Sequence, residues 1–256
     1  MNKKIIALLN KKVDEYNQPF FIANDPICIP HLFQKKQDIE IAGLFAALFA
    51  WGNRTTIINK SRELLQLMHN EPYDFCLHHT DNDLKNILHF KHRTFNATDL
   101  LYFISFLHYH YKTHESLEDA FTLDFNKSDA NIEKALNGFC HYFFSLEDAP
   151  LRTRKHIASP EKNSSCKRLC MYLRWMCRQD SKGVDFGIWK KIKPRQLIIP
   201  VDVHVARVAH RLGLIDNTKA DWETACLLTE KLSLLDDRDP VKYDFALFNL
   251  GVVEKY

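Results

Sequence analysis

Between Asp38 and Trp51 the chain places Ile39, Ile41, Ala42, Leu44, Phe45, Ala46, Ala47, Leu48 and Phe49, behind an aspartate suited to capping a helix. At about 3.6 residues per turn these side chains cover every face, and a helix that is apolar all round has to be enclosed by other elements. A fold of this chain therefore needs a central helix with several others around it. Only 7 of the 256 residues are glycine, while Leu, Ala, Lys and Glu are plentiful, which argues for helices with helical connections rather than a sheet. The fold class read here is all-α, and a chain of 256 residues can bury a substantial core as one large or two small domains.

Apolar periodicity predicts further helices over Asn96–Tyr111, Ser116–Phe125, Asp129–Phe144, Asp221–Leu235 and Pro240–Val252. Another, Thr55–His69, follows a break at Trp51-Gly52-Asn53-Arg54. The polar, histidine-rich stretch Pro72–His92 shows no clear pattern. Met1–Lys12 has too short an apolar run for a signal peptide and reads as an amphipathic surface helix. No span is long and apolar enough for a membrane. The 7 cysteines, an odd number scattered over helical stretches, do not resemble a secreted disulfide framework, so a cytoplasmic location is expected.

Two stretches carry chemistry. In Leu197–Leu214 an apolar approach and Pro200 lead to Asp202 in cap position, then to a helix closed by Gly213. Val205, Val208, Ala209 and Leu212 form its core face, and His204, Arg207 and Arg211 share a basic one. Asp202 is an N-cap by position whether or not it also does chemistry. In Ser164–Arg178, apolar residues at 166, 169, 170, 173, 176 and 177 make a helical stripe, with Lys167 in the first turn after a serine cap. The positive end of a helix disfavours an ammonium there and favours a free, nucleophilic amine. From Leu151 to Arg211 there are 15 Lys+Arg against 4 Asp+Glu, so this stretch is +11 in a chain of net +3 and the remainder is −8. Such a basic face suits DNA phosphates, with Arg168, Arg174, Arg178, His204 and Arg207 as expected contacts.

Pro200-Val201-Asp202-Val203-His204, together with Lys167, resembles the helix-hairpin-helix DNA glycosylase superfamily. Ser164–Leu214, with Gly183–Trp189 between the motifs, is similar to a bacterial branch of unknown function (DUF2400-like), and Pro200–Val208 is similar to the archaeal 8-oxoguanine glycosylases. From about Asp38 onward the chain fits that branch. One departure is the hairpin: a Leu-Pro-Gly-Val-Gly type turn is usual, and Ala158–Ser165 stands in its place.

The resemblance implies two helical subdomains, roughly 38–150 and 151–256 packed with 1–37, with the active site in the cleft between them. It implies a monomer acting on double-stranded DNA that contains a damaged base, 8-oxoguanine being the first expectation, through a Schiff base on Lys167 assisted by Asp202. His204, Arg207, Arg168, Asn53 and Arg54 would contact the DNA, Asn53 and Arg54 from the break where such enzymes wedge the duplex. Trp51, Cys170, Phe245, Phe248 and Asn249 would line the base pocket. No cofactor is expected: a cluster needs four closely spaced thiolates, whereas only Cys226 follows Asp202, and Cys166, Cys170 and Cys177 follow the core stripe. No metal is expected at His78-His79 or His108-Tyr109-His110, which lack a matching ligand set. A DNA-binding protein without activity would keep the basic face without needing Lys167, and a glycosylase without lyase activity would need Asp202 alone.

Overall fold

A computed structural model describes residues 2–256. Its helices are α1 Lys3–Tyr16, α2 Phe20–Ala23, α3 Lys36–Phe49, α4 Arg54–Leu67, α5 Pro72–His78, α6 Asp81–Asn86 and α7 Ala97–Tyr111. They continue with α8 Glu118–Thr122, α9 Glu133–Phe143, α10 Lys167–Cys177, α11 Val203–Arg211, α12 Trp222–Ser233 and α13 Asp244–Val252. The only sheet among the described residues is the antiparallel hairpin of β1 Lys91–His92 and β2 Phe95–Asn96. The protein is all-α. No described helix is long and apolar enough to cross a membrane.

α3 is the enclosed helix that its composition demands, buried from Asp38 to Phe49. It packs against α10 on one side and against α4 and α5 on others. It begins earlier than the aspartate suggests. Lys35 holds the cap position, and Asp38, inside the first turn, accepts the amide of Tyr73 at the start of α5 (2.9 Å). Two helices are shorter than their apolar pattern: α8 spans Glu118–Thr122, and α9 starts at Glu133 because Asp129 accepts the amide of Asn126 and closes a turn there. Pro72–His92 folds into α5, α6 and the first strand, and a 3₁₀ turn at Pro240–Tyr243 precedes α13.

One turn into α3 sits a second carboxylate, Glu40, 0% exposed. Its oxygens accept from Ser116 Oγ (2.5 Å), Trp189 Nε1 (2.6 Å), Tyr111 OH (2.8 Å) and the Leu117 amide (3.0 Å). Burial raises its pKa even against these four donors. Because all four are themselves buried, Glu40→Ala strands them together. We expect a loss of about 3–5 kcal/mol, read as a drop of about 10 °C in Tm. Chemical denaturation showing a loss below about 1 kcal/mol would mean that the donors find other partners.

The basic run of Leu151–Arg211 divides in the folded chain. Arg174 and Arg178, expected to reach phosphates, are 3% and 2% exposed. Arg174 pairs with Asp185 and Asp244, and Arg178 with Asp180, Asp185 and Asp239, both over the ring of Phe245. These carboxylates come from the loop after α10 and from the start of α13 with the turn before it, which fold back onto the inner face of α10. The two arginines thus join α10 to α13 and are unavailable to a partner.

Candidate active site

A cavity of about 900 Å³ opens where five segments meet. They are the turn at Asp25-Pro26, the break between α3 and α4, the chain from His156 to Cys166, the first turns of α10 and α11, and the end of α13. Lys167 and Asp202 both line it, with Nζ 2.6 Å from Oδ2. Thirty-five residues of sequence separate the two, and a hydrogen bond aligns their helices: Ser165 Oγ donates to the carbonyl of Val201 (2.9 Å). That bond ties the start of α10 to the approach to α11.

Ser165 is therefore not the cap of α10. The cap position belongs to Cys166, whose side chain makes no capping bond and whose backbone is left-handed (φ 49°). Asn163 is left-handed as well (φ 52°), after a 3₁₀ turn at Pro160–Lys162. A glycine-rich turn would adopt such angles freely, whereas a cysteine there is strained by roughly 1–3 kcal/mol. Ser164 Oγ accepts the Cys166 amide (3.2 Å) and helps to hold the turn. The glycine-poor turn thus reaches left-handed geometry with Asn163 and Cys166, directly before the lysine.

Asp202 divides its labour between its two oxygens. Oδ1 caps α11, accepting the amides of His204 and Val205 (both 2.9 Å), and Oδ2 receives Lys167. Burial pushes the Asp202 carboxyl up, but the charge and hydrogen bond of Lys167 and the Val205 amide outweigh it, so the net shift is downward. The pair is partly open to the cavity, with side-chain exposures of 25% for Lys167 and 19% for Asp202.

Around the pair stand Trp51, Asn53, Arg54, Arg168, His204 and Phe248, all lining the cavity. Asn53 is the N-cap of α4, accepting the Thr56 amide (3.1 Å), so the break after α3 is the start of the next helix rather than the end of the last. Arg54 and Lys167 lie over the Phe248 ring, 5.8 and 5.6 Å from its centroid. Arg168 is pinned, donating to the Leu48 carbonyl (2.8 Å), and it lies over Trp51 together with Arg93 (5.5 and 5.1 Å). Two cations thus lie against the Trp51 ring. Its indole N–H is buried with no hydrogen-bond partner among the described residues.

Four expected site residues do not line the cavity. Cys170 is fully buried, with its thiol toward the Ser165 carbonyl. Phe245 is buried under Arg174 and Arg178, and Asn249 donates to the carbonyl of Phe245 within α13 (2.7 Å). Arg207 reaches the Gly251 carbonyl (3.3 Å), holding α11 to α13. The shared reason is that the packing of α10, α11 and α13 against one another turns these side chains inward, and only the edge of that contact borders the cavity.

Two cavity residues were invisible in the motifs. Asp25 precedes Pro26 as the cap of a short 3₁₀ turn, and the Asp-Pro pair marks a turn without marking a site. His156 is buried, and burial lowers its pKa to about 4, so its ring is neutral at neutral pH. All seven cysteines are free. Among the described residues no three His, Cys, Asp or Glu side chains are grouped to hold a metal ion.

No curated protein and no solved structure shows significant similarity to the chain. A family model described as "Protein of unknown function (DUF2400)" matches residues 25–253, a span that begins at Asp25 and includes every residue of the cavity named above, and the chain therefore belongs to the DUF2400 family.

Proposed function

We propose that this protein is a DNA glycosylase with an associated β-lyase step, built on a helix-hairpin-helix arrangement and acting on an oxidised purine, 8-oxoguanine first. The observation that carries the reading is the Lys167–Asp202 contact of 2.6 Å inside a cavity whose size falls within the range of roughly 300–1,000 Å³ typical of ligand sites. A lysine held against a carboxylate is a nucleophile with a proton acceptor in place. A base inside a duplex cannot reach such a cavity and has to be rotated out of the stack, at a cost of a few kcal/mol.

Asp202 Oδ2 accepts a proton from Lys167, and the free amine attacks C1′ of the sugar. The bond from C1′ to the base breaks and its electron pair leaves with the base. The nitrogen, now bonded to C1′, loses a proton as the C1′–O4′ bond opens and O4′ takes up a proton; the resulting imine acidifies C2′, and loss of that proton expels the 3′ phosphate. Asp202 keeps its cap on α11 throughout, because Oδ1 rather than Oδ2 serves the helix.

Purified protein on duplexes that each carry one lesion tests the reading. Base release with strand cleavage on at least one oxidised purine is the expected result, and inertness on all of them, with no cleavage of abasic sites, overturns it. Binding has its own signature. Exposed or half-exposed cations near the cavity, Arg54, Arg93 and Lys155, provide for about three phosphate contacts, with the exposed His204 as a further hydrogen-bonding group, so affinity for undamaged duplex should fall about fortyfold between roughly 50 and 200 mM salt. Titrations giving the same affinity at both salts would remove the phosphate-binding face.

A further inference from the structure

The mechanism above leaves one cavity carboxyl without a task. Asp25 lines the same cavity as Lys167 and is 6% exposed. Its Oδ1 accepts the amide of Ile27 (3.1 Å), which fixes the side chain at the head of the Pro26–Cys28 turn, and that turn is packed against α3 and α4. Its Oδ2 accepts no hydrogen bond from any described residue. The side chain is thus held rigidly by one oxygen while the other remains free for an occupant of the cavity.

Resting on the glycosylase reading, we propose that Asp25 is a second catalytic residue, a general acid that protonates the departing base. The need follows from the chemistry. A purine leaves C1′ with the bonding electron pair, and protonation of a ring nitrogen turns a poor anionic leaving group into a neutral one. Asp202 is not placed to supply that proton, since its Oδ2 faces Lys167 and its Oδ1 caps α11, which leaves neither oxygen free for the base. Asp25 is biased toward the protonated form: burial raises its pKa, against the opposing charges of Arg174 and Lys167 on α10 and Arg54 on α4.

The balance closes. Nζ of Lys167 bonds to C1′ as the glycosidic bond breaks, the proton of the Asp25 carboxyl passes to a nitrogen of the base, and the neutral base departs. Asp25 is left as a carboxylate facing those three cations and regains its proton from solvent. Elimination of the 3′ phosphate from the imine does not involve it.

Asp25→Asn separates the two halves of the reaction, since asparagine retains the capping oxygen for Ile27 but carries no acidic proton. Release of free base from a lesion-bearing duplex should fall roughly 100- to 10,000-fold. Borohydride trapping on a preformed abasic site, where no base has to leave, should stay within about twofold of wild type, as should duplex affinity. A substrate whose base is a better leaving group should recover most of the lost rate, a rescue that a purely structural role would not produce. Unchanged base release overturns the assignment, and so does equal loss of release and trapping without rescue. If Asp25→Asn fails to fold, Asp25→Ser keeps a capping oxygen and is read in the same way. Wild-type protein that traps abasic sites and releases base, alongside an unimpaired variant, refutes Asp25 alone. Wild-type protein that does neither refutes the glycosylase reading and this assignment with it.

Discussion

Lys167→Ala should abolish the borohydride-trapped protein–DNA adduct on a lesion-bearing strand, together with strand cleavage, while duplex affinity changes by less than about twofold. The adduct needs a primary amine at C1′, and no other described lysine lines the cavity. Affinity is spread over several cations, each neutralising about one phosphate, so the loss of one partly buried ammonium is a small fraction of the total. Lys167→Arg sharpens the test. A guanidinium preserves the charge opposite Asp202 but stays protonated and is not a nucleophile, so this variant should bind as wild type and still give no adduct. If Lys167→Ala continues to trap, the nucleophile lies elsewhere, and Lys162, exposed on the turn before α10, is the next lysine to replace.

Asp202→Asn should slow base release by roughly 100- to 10,000-fold, the usual worth of a positioned general base. Fold and binding should survive, because asparagine caps helices about as well as aspartate and can still accept the amides of His204 and Val205. What is lost is the acceptor for the proton of Lys167. The stability difference between wild type and variant has a defined sign with pH. The folded-state pKa of Asp202 is lowered, so the stabilisation from its ionised form is present above the ordinary carboxylate value near 4 and is lost as pH falls through the lower folded value. Denaturation at neutral pH and again below about pH 4 should therefore show the wild-type advantage shrinking in acid. A single-turnover rate for Asp202→Asn equal to wild type would end its role in the chemistry and leave it a cap.

Local order is written in the chain itself. The start of α11 follows from Pro200 and the capping geometry of Asp202, and its core face of Val205, Val208, Ala209 and Leu212 is buried as the spacing requires. α3 is enclosed because its apolar surface gains nothing from contact with water. Periodicity has a limit, however: it assigns a residue to a face of its own helix but says nothing about what another segment brings to that face. Arg174 and Arg178 count as positive in a charge tally, yet Asp185, Asp239 and Asp244 fold onto them and neutralise them. Cys170, Phe245 and Asn249 belong to helices that border the cavity and face away from it. Glu40 looks like an interruption of an apolar run until Tyr111, Ser116 and Trp189 arrive from 71, 76 and 149 residues away. Helix caps and apolar stripes are set by neighbours within one or two turns, so the chain carries them in its order. The meeting of Lys167, Asp202 and Asp25 in one cavity depends on how α3, α4, α10, α11 and α13 pack, and only tertiary structure decides that.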